Sequence, residues 1–281
     1  DNFILSLDGT DFTTISHLTF SSEANASYSS AIRLSGGCED VGIFNCALSG
    51  VENTSDNVNN ALIHGDNAFT PDLSVQHNRL NNFSHGLYLD LVTNQTFSER
   101  ISVLYNDLLG AGYSGFTLSR GNAPSFTHNT INGGSRGIQL LRCTDSVRIS
   151  GNQTNQQSGY GLYLDSVIST QQIAGRIANN FVTVSDDAQA HGIFIRNSDY
   201  QQVLYNSVNI ISSTATASNA FYAENSDYLT VLNNIFNHLG TQLAYELSSV
   251  LIDSSDYNNF HTSGSLLASI DGTDYASLAE L

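Results

Sequence analysis

A row of asparagines recurs along this chain, each closing a short apolar run: Val75-Gln76-His77-Asn78, Val103-Leu104-Tyr105-Asn106, Phe126-Thr127-His128-Asn129, Ile149-Ser150-Gly151-Asn152, Ile177-Ala178-Asn179-Asn180, Val203-Leu204-Tyr205-Asn206 and Val231-Leu232-Asn233-Asn234. They fall 28, 23, 23, 28, 26 and 28 residues apart, a mean of 26. At that period self-similarity means a stacked repeat. Cys46, in Ile43-Phe44-Asn45-Cys46, keeps the same register one coil earlier. Ahead of each marker lies a second alternating run, such as Gly86-Leu87-Tyr88-Leu89-Asp90, Gly161-Leu162-Tyr163-Leu164-Asp165 or Gly192-Ile193-Phe194-Ile195-Arg196. Runs of about four β-branched or aromatic residues are too short for helices, so every period carries two or three strands.

Asparagine tolerates the left-handed backbone that a tight corner between strands demands. Corners stacked at the strand spacing of about 4.8 Å let each side-chain amide bond the copies above and below, which predicts an asparagine ladder. With these "apolar-x-x-Asn-x-apolar" repeats the chain resembles the pectin-lyase-like superfamily of right-handed parallel β-helices, in particular its bacterial surface and secreted members. The resemblance runs from about residue 3 to 260. It implies an all-β, single-stranded right-handed parallel β-helix of about ten coils. It does not by itself imply an activity, since one scaffold carries lyases, hydrolases, epimerases and non-catalytic stalks.

The repeat runs nearly end to end, so 281 residues read as one elongated domain: an opening coil over 1–20, regular coils over 21–260 and an exit or cap segment over 261–281. The start in mid-strand at Asp1-Asn2-Phe3-Ile4 reads as a fragment of a longer chain, whose other domains would be its neighbours. A net charge of −17 repels nucleic acid and anionic lipid, and no run is long enough for a membrane span. All nine basic residues are arginine, and the missing lysine excludes Schiff-base chemistry and a P-loop. Cys38, Cys46 and Cys143 read as buried space-fillers, the first two on one extended strand beyond the reach of a bridge.

Insertions in a solenoid collect on one face and tend to carry binding. Excursions are expected at 49–60, 66–72, 91–100, 166–176, 185–190 and 212–218. The segment Thr273-Asp274-Tyr275-Ala276-Ser277-Leu278-Ala279-Glu280-Leu281 reads as a capped short helix covering the open end. Asn-x-Ser/Thr triplets start at Asn25, Asn53, Asn82, Asn94 and Asn152, the last of them inside the ladder.

Motifs known on this scaffold are missing. Asp186-Asp187 and His191-Gly192 echo two of the four polygalacturonase signatures but stand too close together, and the epimerase Asp-Pro-His-Asp is absent. Neither proline has the flanking arginines of a pectate lyase. Alternation does yield a column. With Leu87, Leu162, Ile193 and Phe221 pointing inward, Tyr88, Thr117, Gln139, Tyr163, Phe194 and Tyr222 point outward on consecutive coils. Asp90, Arg120, Arg142, Asp165, Arg196 and Glu224 follow as one charge per coil, and His85 and His191 precede the strands. Aromatic rings beside carboxylates and guanidinium groups suit a sugar chain.

Asp165 and Glu224, two coils or about 10 Å apart, only touch the inverting-glycosidase range of about 6.5–9.5 Å. A β-elimination on a uronate asks instead for cations, or calcium on carboxylates, and for a base. Arg120, Arg142 and Asp165 are the catalytic candidates, the arginine-base role being what the related lyases imply by resemblance. Tyr88, Asp90, Tyr163, Phe194, Arg196, Tyr222, Glu224, His85 and His191 are the substrate-binding candidates. No metal site and no cofactor other than that calcium is expected. Two functions compete: an extracellular or cell-surface domain that binds or processes a glycan, and a non-catalytic spacer or adhesin segment of a large surface protein.

Overall fold

The computed structural model describes residues 3–22, 29–51, 53–68, 71–91, 100–185, 189–212 and 217–281. It is a right-handed parallel solenoid of about nine turns with essentially no helix. Three files of strands run along its axis. Arg136–Leu141, Gly159–Asp165 and Gln189–Arg196 belong to the first file, Arg148–Ser150, Gly175–Ala178 and Gln201–Leu204 to the second, and Gln153–Gln156, Phe181–Val184 and Ser207–Ile210 to the third. Arg79–Leu91 and Asp107–Ser119 pass from the third file into the first without a break, and Ala217–Leu232 from the first into the second.

Alternation fills the interior as the sequence predicts. Leu87, Phe116, Ile138, Leu162, Ile193 and Phe221 stack in register and are completely buried. Val75, Val103, Phe126, Ile149, Ile177, Val203 and Val231 do the same in the second file. Each such side chain contributes about 1.5–3 kcal/mol on leaving water, so the core is a set of apolar columns. The bend ahead of the first file needs glycine: a Cβ on Gly137 would stand 2.3 Å from the carbonyl oxygen of Gly161 one coil on.

The seven asparagines form one buried ladder. Asn152 is typical: its Oδ1 accepts from the backbone N–H and from Nδ2 of Asn129, both at 3.0 Å, while its own Nδ2 donates to the Phe126 carbonyl at 2.8 Å and to Asn180 Oδ1 at 3.0 Å. Asn258 adds a rung beyond Asn234. At the other end the Cys46 N–H donates to Asn78 Oδ1 at 2.9 Å, and its thiol sits 3.8 Å from the Ile15 carbonyl where a rung's amide nitrogen would be.

Several expectations are corrected. The left-handed residue of each corner is not the ladder asparagine but the one before it: His77, Tyr105, His128, Gly151, Asn179, Tyr205, Asn233 and Tyr257 have φ between 55° and 67°. The asparagine is selected for its amide, not for its backbone. Cys38 and Cys46 do not share an extended strand, because Gly42–Phe44 lies between corners at Asp40 (φ 57°) and Asn45 (φ 52°). All three cysteines are buried free thiols, and burial pushes the Cys143 thiol up to about 12. The expected terminal helix is instead a hairpin: Ala268–Ile270 pairs antiparallel with Thr273–Tyr275 across Asp271 (φ 48°) and Gly272 (φ 75°). Two central residues with positive φ suit a tight hairpin turn.

Candidate functional site

The outward face of the first file carries three lines of side chains. The middle one is the predicted column: Tyr88, Thr117, Gln139, Tyr163, Phe194 and Tyr222 are in register on successive coils and continue into Glu246. The charge line differs from expectation. Asp90 is followed by Ser119 and Leu141 before Asp165, Arg196 and Glu224. Arg120 and Arg142 stand one residue further on, at left-handed turn positions (φ 64° and 54°). Counted from Gly86, Gly115, Gly137, Gly161 and Gly192, the line is the fourth residue on in every coil, whereas Arg120 and Arg142 are the fifth.

A third line was not singled out from the sequence beyond its two histidines. His85, Ser114, Arg136, Tyr160, His191 and Asn219 align on consecutive coils. The glycine bend sets this line three residues ahead of the middle one, not two, so strict alternation passes over it. Tyr113 and Asp56 complete it. The His85 ring, almost fully buried, bonds Asp56 Oδ1 at 3.1 Å. That bond, with the nearby His85, Tyr113 and Arg136, holds Asp56 below the usual carboxylate range against the opposing effect of burial.

Planar groups in these lines stack on one another. The Arg136 guanidinium lies 5.0 Å from the Tyr113 ring centre and 5.7 Å from those of Tyr160 and Tyr163. Tyr160 stacks with His191 at 5.4 Å, and Phe194 with Tyr222 at 4.9 Å and 3° between planes. Phe194 consequently keeps only 6 % of its surface exposed. Ring faces in this line are covered by neighbouring rings. Tyr163 donates to Asp165 Oδ2 at 3.2 Å and Tyr222 to Glu224 Oε2 at 3.0 Å. Burial first, and then the adjacent carboxylate, push both phenols up to about 12. Burial also raises Tyr113, so all three are proton-bearing donors at neutral pH.

The cations have different surroundings. Arg196 Nε lies between Asp165 Oδ2 at 3.8 Å and Glu224 Oε1 at 3.6 Å. Arg120 is committed to Asp90 and to the Leu91 carbonyl. Arg142 is exposed at its turn. Arg136 donates to Gln139 Oε1 at 2.7 Å and forms no ion pair among the described residues. It borders an open depression of about 300 Å³ lined also by Tyr113, Ser135, Ser158 and Tyr160. His191, set among Tyr160, Phe194 and Tyr222, is lowered to about 4, mainly by burial.

Asp186 and Asp187 lie outside the described residues, as do Asn25 and Asn94. Asn152, fully buried, offers no surface to a glycan transferase. No group of three metal-ligating side chains occurs among the described residues, and no helix there is long and apolar enough to cross a membrane.

Fold and face together define a parallel β-solenoid with a decorated axial surface. The chain belongs to the right-handed β-helix family, whose model, the right handed beta helix region, matches residues 60–236. Among solved structures it is similar to the A-module of the mannuronan C-5 epimerase AlgE6 of Azotobacter vinelandii, at 9 % identity, with 94 % of this chain and 91 % of that chain covered and a TM-score of 0.38. A comparison with curated proteins finds no match.

Proposed function

We propose that this face binds a polysaccharide outside the cell or at its surface, with an acidic sugar at Arg136. The observation that carries the reading is Arg136 itself. It is a guanidinium set between tyrosines, bonded to Gln139, without an ion pair among the described residues, and lining an open depression. A carboxylate there meets two parallel N–H donors, with tyrosine hydroxyls alongside. Asp165, Glu224 and Glu246 then offer acceptors to sugar hydroxyls on later coils, at a repeat of about 4.8 Å. If the face also acts on what it binds, β-elimination is favoured over hydrolysis. In that step Arg136 would neutralise the uronate, Asp165 would take the C5 proton, and a raised phenol would protonate the oxygen that leaves as the C4–O bond breaks.

The test is retention on affinity gels carrying a polyuronate, the same polymer methyl-esterified, or a neutral glucan. Wild type should prefer the free acid, and Arg136→Gln should weaken it about tenfold to a hundredfold, the scale of a charged hydrogen bond of about 1.5–3 kcal/mol. Absorbance of unsaturated products in the same samples reads out elimination. A second reading has its own support, since ring faces consumed in stacking suit a spacer or adhesin segment whose face merely stiffens the coil. Blank gels for all three polymers would select it.

A further inference from the structure

We infer that a second groove, around the corner from the face above, binds a neutral oligosaccharide along the solenoid axis. It does not rest on the Arg136 reading. Gly175 pairs with Gln201 and Gln202 with Thr230, so Ala174, Tyr200 and Tyr228 hold one position on three consecutive coils. Tyr200 and Tyr228 are both in the left-handed region (φ 55° and 58°), and their rings stack at 4.5 Å and 11°. The next position down the column is alanine. Among the described residues Tyr200 has no ring partner on that side, and a methyl group cannot fill the height of a ring. Where the Arg136 face uses up its aromatic surfaces on one another, this column leaves one open.

Beside the pair runs a groove of about 320 Å³, the size at which ligand pockets begin. Tyr200 and Tyr228 form one wall, and Gln202 and Thr230 are on the adjoining strand positions. Gln171, on the loop over 166–176, and Asp253 line it on the outer coils. From the coil of Ala174 to that of Asp253 is three coil spacings, about 14 Å. Amide and carboxylate groups beside aromatic rings are the equipment for a ring with one apolar face and a rim of hydroxyls. Charge decides which sugar. Asp253 lines the groove, and Asp199 and Asp227 adjoin the tyrosines in sequence with Asp199 Oδ1 accepting from the Asp227 N–H; among the described residues the lining holds no arginine, and Arg176, one coil before Gln202 in register, is the single cation beside it, set against these three carboxylates. The excess of carboxylates disfavours an anionic sugar here and leaves a neutral one unopposed.

The experiment is calorimetric titration of the whole chain with cellotriose, xylotriose and mannotriose, and with a trigalacturonate. At least one neutral trisaccharide should bind saturably and the trigalacturonate should not bind at this site. Tyr200→Ala, and Ala174→Phe which fills the open step, should each weaken the neutral ligand at least tenfold. Arg136→Gln should leave that affinity within twofold. Should Ala174→Phe fail to fold, Gln202→Ala with Tyr200→Ala carries the same test. The inference is overturned if none of the three neutral sugars binds, if the groove variants leave the affinity unchanged, or if Arg136→Gln weakens binding as much as they do. The last result would move the ligand to the other face.

Discussion

Replacing Asn152 by leucine removes four hydrogen bonds at a site with no exposed surface. The backbone N–H of Asn129, itself buried, loses the partner that Asn152 Oδ1 supplies, and an unsatisfied buried donor costs about 1–3 kcal/mol. The other three bonds are worth about 0.5–1.5 kcal/mol each. Leucine returns about 2 kcal/mol through its own burial. The net loss is about 3 kcal/mol, to be read as a shift of the urea midpoint at unchanged slope. Gln153→Leu, next door on the exposed side of the strand, should change stability by less than about 0.5 kcal/mol. Hydrogen exchange localises the effect, since the Asn129 amide should lose protection before its neighbours. A loss below about 1 kcal/mol, or an Asn129 amide as protected as before, would refute the claim that the ladder holds the corners.

Cys46→Asn should stabilise the chain by about 1 kcal/mol, because its thiol already occupies the amide's place opposite the Ile15 carbonyl; a melting temperature below wild type would contradict this. His191 stays neutral in the fold, lowered to about 4 against an ordinary value of 6.5, so its stabilisation is fully present above pH 6.5 and is lost as pH falls towards 4. Over that window it accounts for about 3 kcal/mol, with His238, also lowered mainly by burial, acting in the same direction. His191→Phe, which keeps the stack, should flatten the acid limb of a stability–pH curve; an unchanged limb would assign it elsewhere.

The solenoid, the ladder and the middle outward line are legible in the sequence because each follows from a period, 26 for the coil and 2 for the strand. What escapes is whatever breaks the period. The glycine bend sets Arg136 and Tyr160 three residues ahead of Gln139 and Tyr163, so the line that carries Arg136 hides behind strict alternation. Arg120 and Arg142 fall off the charge line because they are five residues from their glycines where Asp90, Asp165 and Arg196 are four. The left-handed corner residues carry no single identity, being His, Tyr, Gly and Asn in turn. The terminal hairpin was announced by Asp271-Gly272, a strong turn signal. A three-residue periodicity through Tyr275, Leu278 and Leu281 pointed to helix instead. Asp56 was invisible, since nothing in one sequence ties a loop carboxylate to a histidine one coil on.

The asparagine ladder also gives the molecule a direction. From Asn78 to Asn234 every rung donates to the next one towards the C-terminal end, so the amides lie head to tail like links with a hook on one side and an eye on the other. A whole coil can be cut out or duplicated between any two rungs and the hooks still find eyes, which makes the turn, not the residue, the natural unit of gain and loss in such a chain. Half a coil cannot be. Nor can two such stacks be continued end to end in opposite senses, because acceptor would meet acceptor, or donor meet donor, at the seam.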